Sequence, residues 1–125
     1  MNKKRIMIVD DEAPFTRLLQ LSLEQTGHYD VRTENNPLRA MQAAKQFLPD
    51  LVLMDVMMPG MDGGALAAQF QASNSLNNVP IVFLTAAVKR EEVQAHEGCI
   101  GGLPFLAKPV DLAELTQCLQ QHLGP

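Results

Sequence analysis

Five polar side chains stand at or just beyond the ends of four apolar runs, and together they are the groups in this chain that can do chemistry. They are three acids, one hydroxyl and one ammonium: Asp10, Asp11, Asp55, Thr85 and Lys108. If the four runs are neighbouring parallel strands, these side chains meet at the carboxyl edge of one sheet, where open α/β sheets bind ligands. Crowded carboxylates beside a lysine predict a site for a cation and a phosphoryl group.

Three acids at one sheet edge need a counter-charge. Two carboxylates about 4 Å apart repel each other by roughly 4 kcal/mol at an effective dielectric constant of 20, and without compensation one of them takes up a proton. An all-oxygen ligand set with no thiolate or imidazole favours Mg²⁺, with Mn²⁺ as the alternative, over Zn²⁺. Because Mg²⁺ tends to bridge a carboxylate to a phosphate oxygen, the cluster predicts half of a phosphoryl-transfer site.

Asp55 is the candidate nucleophile, because it ends its run alone and precedes a loop rich in proline and glycine. Lys108 can neutralise transferred phosphate oxygens, and the Thr85 hydroxyl can donate to another. Each residue also has an ordinary interpretation. Asp10 and Asp11 would cap the first helix, Asp55 and Thr85 would merely end strands, and Lys108 would be solvated. These separate explanations do not account for the presence of all five polar side chains at the ends of four apolar runs.

Size and composition restrict the class of protein. A chain of 125 residues with 46% hydrophobic content predicts one folded domain, residues 1–125, and argues against disorder. Its net charge of −4 leaves no basic stripe for nucleic acid, and no apolar run is long enough for a signal peptide or a membrane span. Cys99 and Cys118 lack the spacing of a disulfide or zinc site, so we expect reduced thiols in a cytoplasmic protein.

Strand-like runs alternate with helical periodicity along the chain, which predicts a (βα)5 α/β fold with a parallel sheet covered on both faces. Asn36 and Asp111 have the residue type and position of helix caps. The glycines of segment 88–102 predict irregular chain after a short helix. The side chains predicted to face the core from the other four helices are Phe15, Leu18, Leu19, Leu23, Leu38, Met41, Leu48, Leu66, Phe70, Leu112, Leu115, Leu119 and Leu123.

Taken in order, four motifs resemble the receiver domain of bacterial two-component response regulators, and the match covers essentially the whole chain. The motifs are Val9-Asp10-Asp11-Glu12, the run from Leu53 to Gly63, Leu84-Thr85-Ala86, and Phe105-Leu106-Ala107-Lys108-Pro109. One acid pair or one Lys-Pro step would be weak, but the ordered set with these separations is specific. The resemblance implies a flavodoxin-like, doubly wound parallel sheet with strand order 2-1-3-4-5.

The resemblance also implies what the acids do. Asp55 would accept a phosphoryl group from a phosphohistidine on a histidine kinase or a histidine phosphotransfer protein. Mg²⁺ would be held by Asp11, by Asp55 and by the backbone carbonyl of Met57. Asp10 would act on the metal largely through a water.

The remaining site residues would bind the phosphoryl group. By the same resemblance its oxygens would be held by Thr85, by Lys108 and by the backbone amides of Met57 and Ala86. The Lys108–Pro109 peptide bond is expected to be cis, against a background of only about 5–6% of X-Pro bonds.

The family pattern further predicts a switch. It couples the strand-end hydroxyl to an aromatic residue three positions before the lysine, and here these are Thr85 and Phe105. On phosphorylation Thr85 would turn toward the phosphate and Phe105 would move inward. The alternative is that Phe105 is a permanently buried core residue.

Two positions near the acceptor often modulate phosphate lifetime in this family, and here they are Met57 and Ala87. Neither side chain can orient an attacking water, so we expect slow self-dephosphorylation. The alternative is that backbone and solvent position the water well enough. The chain also departs from the family at residues 97–104, which are longer and richer in glycine. This departure predicts a short or displaced helix followed by a mobile loop.

The leading function is a signalling receiver, which is no metabolic enzyme although it takes part in its own phosphorylation and dephosphorylation. A phosphatase or phosphotransferase would require a second acid as general acid or base two residues after Asp55, but that position is Met57. A flavin-binding protein would need a hydroxyl- or glycine-rich phosphate loop after the first strand, where the chain has acids. A pseudo-receiver used only for docking would not need the intact set.

The sequence leaves several questions about signalling open. These are the donor kinase, the output partner or domain, a phosphorylation-dependent dimer, and whether the chain stands alone or is part of a longer regulator.

Overall fold

The computed structural model describes residues 3–85, 99–100 and 103–124. The strands are β1 (Lys4–Val9), β2 (Tyr29–Glu34), β3 (Leu51–Asp55), β4 (Met57–Met58), β5 (Met61–Asp62), β6 (Ile81–Thr85), β7 (Cys99–Ile100) and β8 (Leu103–Ala107). The described helices are α1 (Ala13–Gln25), α2 (Ala40–Phe47), α3 (Gly63–Ala72) and α4 (Leu112–Leu123), and a 3₁₀ turn over Pro37–Arg39 leads into α2.

Five strands form a parallel sheet in the order β2-β1-β3-β6-β8, which confirms the predicted flavodoxin-like order 2-1-3-4-5. Strands β3 and β6 are buried along their whole length, because helices cover both faces of the sheet. One face is packed by Leu19 and Leu23 of α1 and by Leu115 and Leu119 of α4. The other face is packed by Ala43 and Ala44 of α2 and by Leu66 and Phe70 of α3.

Four leucines predicted to face the core are exposed, so these predictions are wrong. Leu38 and Leu48 are 68% and 52% exposed, and Leu18 and Leu112 are also exposed. Leu38 lies in the 3₁₀ turn and Leu48 is the left-handed residue that ends α2, so neither follows the periodicity of the helix. The second helix instead faces the sheet with small buried alanines, which let it lie close to the strands. The remaining predicted core residues are buried or partly buried: Phe15, Leu19, Leu23, Met41, Leu66, Phe70, Leu115, Leu119 and Leu123.

Both predicted caps are confirmed. The Asn36 side chain accepts a hydrogen bond from the N–H of Leu38 at 3.0 Å. The Asp111 side chain accepts one from the N–H of Ala113 at 2.8 Å. Each bond satisfies an N–H group that has no partner within its own helix.

Sequence periodicity does not reveal two short antiparallel pairings. Strands β4 and β5 form a hairpin immediately after Asp55, and β7 pairs with β8 to become a sixth strand at the sheet edge. The prediction of irregular chain is therefore wrong for Cys99–Ile100. The short helix and the mobile loop predicted for the rest of segment 88–102 fall outside the described residues.

Gly63 lets α3 begin directly against the backbone that carries Asp55. Its N–H donates to the carbonyl of Val56 at 2.8 Å, while the Asp62 side chain caps the helix at the N–H of Gly64. A Cβ on Gly63 would collide with the carbonyl oxygen of Asp55 and lie 2.9 Å from the Cα of Val56. Both are backbone atoms that cannot swing aside, so glycine is required here.

We predict that Gly63→Ala lowers the free energy of unfolding by about 1–3 kcal/mol, the usual cost of forcing an atom into packed structure. The matched control is Gly64→Ala, whose Cβ would lie at an ordinary 3.4 Å from the Asp62 side chain and should be tolerated. Urea unfolding of both variants checks this. Equal stability of Gly63→Ala and the wild type would contradict a steric requirement for glycine at this position.

Candidate functional site

The register of the sheet brings the ends of four parallel strands to one edge. Val9 is level with Met54 across β1 and β3, and Thr85 is level with Ala107 across β6 and β8. The residues at or just after these positions therefore emerge side by side. All five polar side chains predicted from the sequence lie at this edge.

Asp10, Asp11 and Asp55 form a cluster in which one carboxylate oxygen from each lies within 4.8 Å of the others. Asp10 and Asp55 are buried, whereas Asp11 is exposed. The N-cap position of α1 belongs to Glu12, whose side chain makes no capping bond. The acids preceding it are thus not the caps of this helix, and their carboxylates converge on Asp55 instead.

Lys108 places a single ammonium against these acids. Its Nζ lies 2.6 Å from Asp10 Oδ2 and 3.6 Å from Asp55 Oδ2. It also lies 3.0 Å from Glu12 Oε1 and 4.5 Å from the ring centroid of Phe15, a cation–π contact. Only 10% of the Lys108 side chain is exposed, so the interpretation of this residue as a solvated lysine is wrong.

The charges in the site shift the pKa of its central groups. Burial raises the pKa of the Asp55 carboxyl, and the negative charges of Asp10 and Asp11 raise it further, against the opposing effects of Lys108 and the Met57 N–H. Burial acts to lower the pKa of Lys108, but its contacts with the neighbouring carboxylates outweigh burial and raise that pKa. The cluster therefore holds more negative charge than one ammonium balances.

The cluster fits a divalent cation. Asp10 Oδ1 accepts the N–H of Glu12 at 2.9 Å. The buried Oδ2 forms a 2.6 Å ion pair with Lys108, and no other donor in the described part of the chain reaches it. A metal-bound water would give this buried oxygen a further donor. All the candidate ligands are oxygens, the type that Mg²⁺ and Mn²⁺ prefer.

The structure describes most of the residues predicted to bind phosphate and to act as a switch. Thr85 is buried at the end of β6, and its backbone carbonyl accepts the N–H of Lys108 at 2.8 Å. Met57 is 72% exposed, and its N–H donates to Asp55 Oδ1 at 3.4 Å. The Lys108–Pro109 bond is cis. Phe105 is buried in the core next to Phe83 of the neighbouring strand. Ala86 and Ala87 lie outside the described residues.

Sequence reasoning missed the roles of three residues near the site. Glu12 and Phe15 both contact the ammonium of Lys108, and Gly63 packs on the backbone of Asp55. Glu12 stands next to the acid pair in the sequence, which is a signal that could have drawn attention to it. The other two contacts depend on tertiary approach and leave no local pattern.

Comparison with known proteins agrees with this geometry. Residues 6–120 match the family model of the response regulator receiver domain. The chain is 37% identical over 108 residues to the response regulator PleD of Caulobacter vibrioides. The aligned region covers 86% of this chain but only 23% of PleD. It is 29% identical over 122 residues to the polar-differentiation response regulator DivK of Brucella anthropi, covering 97% of each chain.

Solved structures show the same fold. The chemotaxis protein CheY4 of Vibrio cholerae superposes with a TM-score of 0.82 at 25% identity, covering 98% of this chain and 100% of that one. The BeF3-activated receiver domain of Klebsiella pneumoniae RstA gives 0.80 at 28% identity, with the same coverage. Among the described residues, no helix has the length and apolar content needed to span a membrane. The chain therefore belongs to the response regulator receiver domain family.

Proposed function

We propose that this receiver domain takes part in phosphorelay signalling by accepting a phosphoryl group on Asp55. The donor is a phosphohistidine of a histidine kinase or of a histidine phosphotransfer protein. The observation that supports this most directly is the convergence of three carboxylates with the ammonium of Lys108, which lies 3.6 Å from Asp55. Such a set can bind a cation and a phosphoryl group at the same carboxylate.

The proposed step is a transfer from nitrogen to oxygen. A carboxylate oxygen of Asp55 attacks the phosphorus atom, and an O–P bond forms as the P–N bond of the phosphohistidine breaks. The electron pair stays with the imidazole nitrogen, which takes up a proton from solvent. Hydrolysis of the acyl phosphate by water then releases inorganic phosphate and returns Asp55 to a free carboxylate.

The surrounding residues would position and neutralise the group being transferred. Asp11, Asp55 and the carbonyl of Met57 would hold Mg²⁺, with Asp10 binding through a water. When bound, the cation offsets the charge on the phosphoryl oxygens. Lys108 supplies a second positive charge from inside the site, where electrostatic interactions are stronger than in water.

The same proposal covers the remaining phosphate ligands and the switch. The Thr85 hydroxyl and the amides of Met57 and Ala86 would donate to phosphoryl oxygens. Phe105 is 3% exposed in this structure. Phosphorylation would then favour this packing by drawing Thr85 toward the phosphate.

We predict that acetyl phosphate with Mg²⁺ adds one phosphoryl group to the wild type, whereas Asp55→Asn abolishes the addition because the amide is not a nucleophile. Intact-protein mass spectrometry measures both. Asp30→Asn, which alters an exposed acid on the outer strand β2, serves as the matched control and should be phosphorylated like the wild type. Failure of the wild type to gain the group would favour a phosphorylation-independent docking module.

We predict that Asp11→Asn weakens Mg²⁺ binding by about tenfold or more, since even outer partners of a metal typically contribute that much. Isothermal titration calorimetry with Mg²⁺ alone measures this without any phosphodonor. Glu24→Gln, an exposed acid near the far end of α1, controls for the change in net charge. Equal weakening in both variants would mean that Asp11 acts only through long-range charge.

We predict slow hydrolysis of phospho-Asp55 in Mg²⁺, with a half-life of minutes or longer. The reason is that neither Met57 nor Ala87 can orient a water, and such positioning typically contributes about 10²–10⁴-fold in rate. The loss of the phosphoryl group can be followed by mass spectrometry after the donor is removed. A half-life of seconds would show that backbone and solvent suffice.

A further inference from the structure

Glu12 contacts the catalytic machinery but has no part in the reaction proposed above. Its Oε1 accepts a hydrogen bond from Lys108 Nζ at 3.0 Å. Its side chain is 61% exposed and stands outside the cluster of Asp10, Asp11 and Asp55. In the described part of the chain, three carboxylates contact Lys108. Glu12 is the one of these three that does not belong to the candidate metal cluster.

The contacts of Lys108 fix where its charge sits. An ammonium has three N–H donors. Asp10 at 2.6 Å and Glu12 at 3.0 Å are its two nearest acceptors, and the ring of Phe15 covers it at 4.5 Å. These neighbours leave one donor for Asp55, whose oxygen is 3.6 Å away. The arrangement keeps the ammonium at the distance where a phosphoryl group on Asp55 would meet it.

The hold of Asp10 on Lys108 would weaken if a cation bound. Asp10 Oδ2, the oxygen that contacts Lys108, has no other donor among the described residues and suits a metal-bound water. A divalent cation would draw the charge of Asp10 toward itself. Glu12 keeps its full charge for Lys108, because it does not belong to the metal cluster.

We propose that Glu12 is a positioning residue that tethers the ammonium of Lys108 beside Asp55 while Asp10 serves the cation. This inference rests on the proposed function of Asp55. The effect is modest, about two- to fivefold, because exposed ion pairs contribute little. It acts through contact, so a side chain of equal charge but shorter reach does not replace it.

Three variants separate contact from charge. Glu12→Gln removes the charge, Glu12→Asp keeps the charge but is one methylene shorter, and Glu24→Gln removes an exposed charge elsewhere on α1. The first measurement is the rate of acetylation of Lys108 by an amine-reactive reagent at saturating Mg²⁺, where Asp10 would serve the cation, read by peptide mass spectrometry. The second is the dissociation constant of beryllofluoride, a phosphoryl mimic, at saturating Mg²⁺. Melting temperatures verify that folding is unchanged.

The tether predicts that both Glu12 variants acetylate Lys108 about two- to fivefold faster than the wild type and bind beryllofluoride about two- to fivefold more weakly. Glu24→Gln should match the wild type. Wild-type behaviour of Glu12→Asp in either measurement would overturn the inference, because charge alone would then suffice. Tighter beryllofluoride binding by Glu12→Gln would also overturn it, since Glu12 would be a competitor for Lys108. If the wild type binds no beryllofluoride, the proposed function of Asp55 is contradicted, and the positioning role of Glu12 is contradicted with it.

Discussion

Among the described residues, four carboxylates face one ammonium at a single sheet edge, and the rest of the site depends on how that imbalance is resolved. Lys108 contacts Asp10, Glu12 and Asp55 directly, and Asp11 completes the acidic cluster. Burial raises the pKa of Asp55, and the negative charges of Asp10 and Asp11 raise it further. A bound cation would act in the opposite direction by supplying positive charge beside these acids. We therefore expect the proposed phosphoryl acceptor to depend on that cation.

The sheet supplies the rigidity that such a crowded site requires. The strands that end in Asp55 and Thr85 are buried along their whole length, which fixes the backbone that carries these two side chains. On one side of the acceptor, Gly63 allows α3 to start in contact with the carbonyl of Asp55. On the other side, the backbone of Lys108 is held by the carbonyl of Thr85. Hydrophobic burial of the strands thus stabilises an arrangement that its own charges oppose.

Local signals in the sequence predict the parallel sheet and the members of the acidic cluster, whereas the strand order is expected from the resemblance to receiver domains. Apolar runs mark buried strands, and the polar residues that end them must share an edge once the strands are parallel. The inward face of the second helix is predicted wrongly, because Leu38 and Leu48 lie in the 3₁₀ turn and the left-handed end rather than in the helix itself. Helical periodicity cannot separate such flanking turns from the helix they adjoin.

Contacts made by tertiary approach leave no trace in a local pattern. The pairing of β7 with β8 lies in a glycine-rich segment. Because glycine adopts many backbone conformations, its presence does not distinguish a hairpin from irregular chain. The contact between Glu12 and Lys108 joins residues that lie 96 positions apart in the sequence, so only the folded chain brings them together. These are the features for which the structure adds information about the site beyond the residues themselves.

The central claim is that these groups form one cation-dependent acceptor site. A crystal structure of the protein with Mg²⁺ and beryllofluoride tests it most directly. The account predicts a cation bound to Asp11 and Asp55, beryllofluoride attached to Asp55, and the ammonium of Lys108 within hydrogen-bond distance of a fluorine atom. A map in which Asp55 carries neither group, at concentrations that saturate other receiver domains, would contradict it.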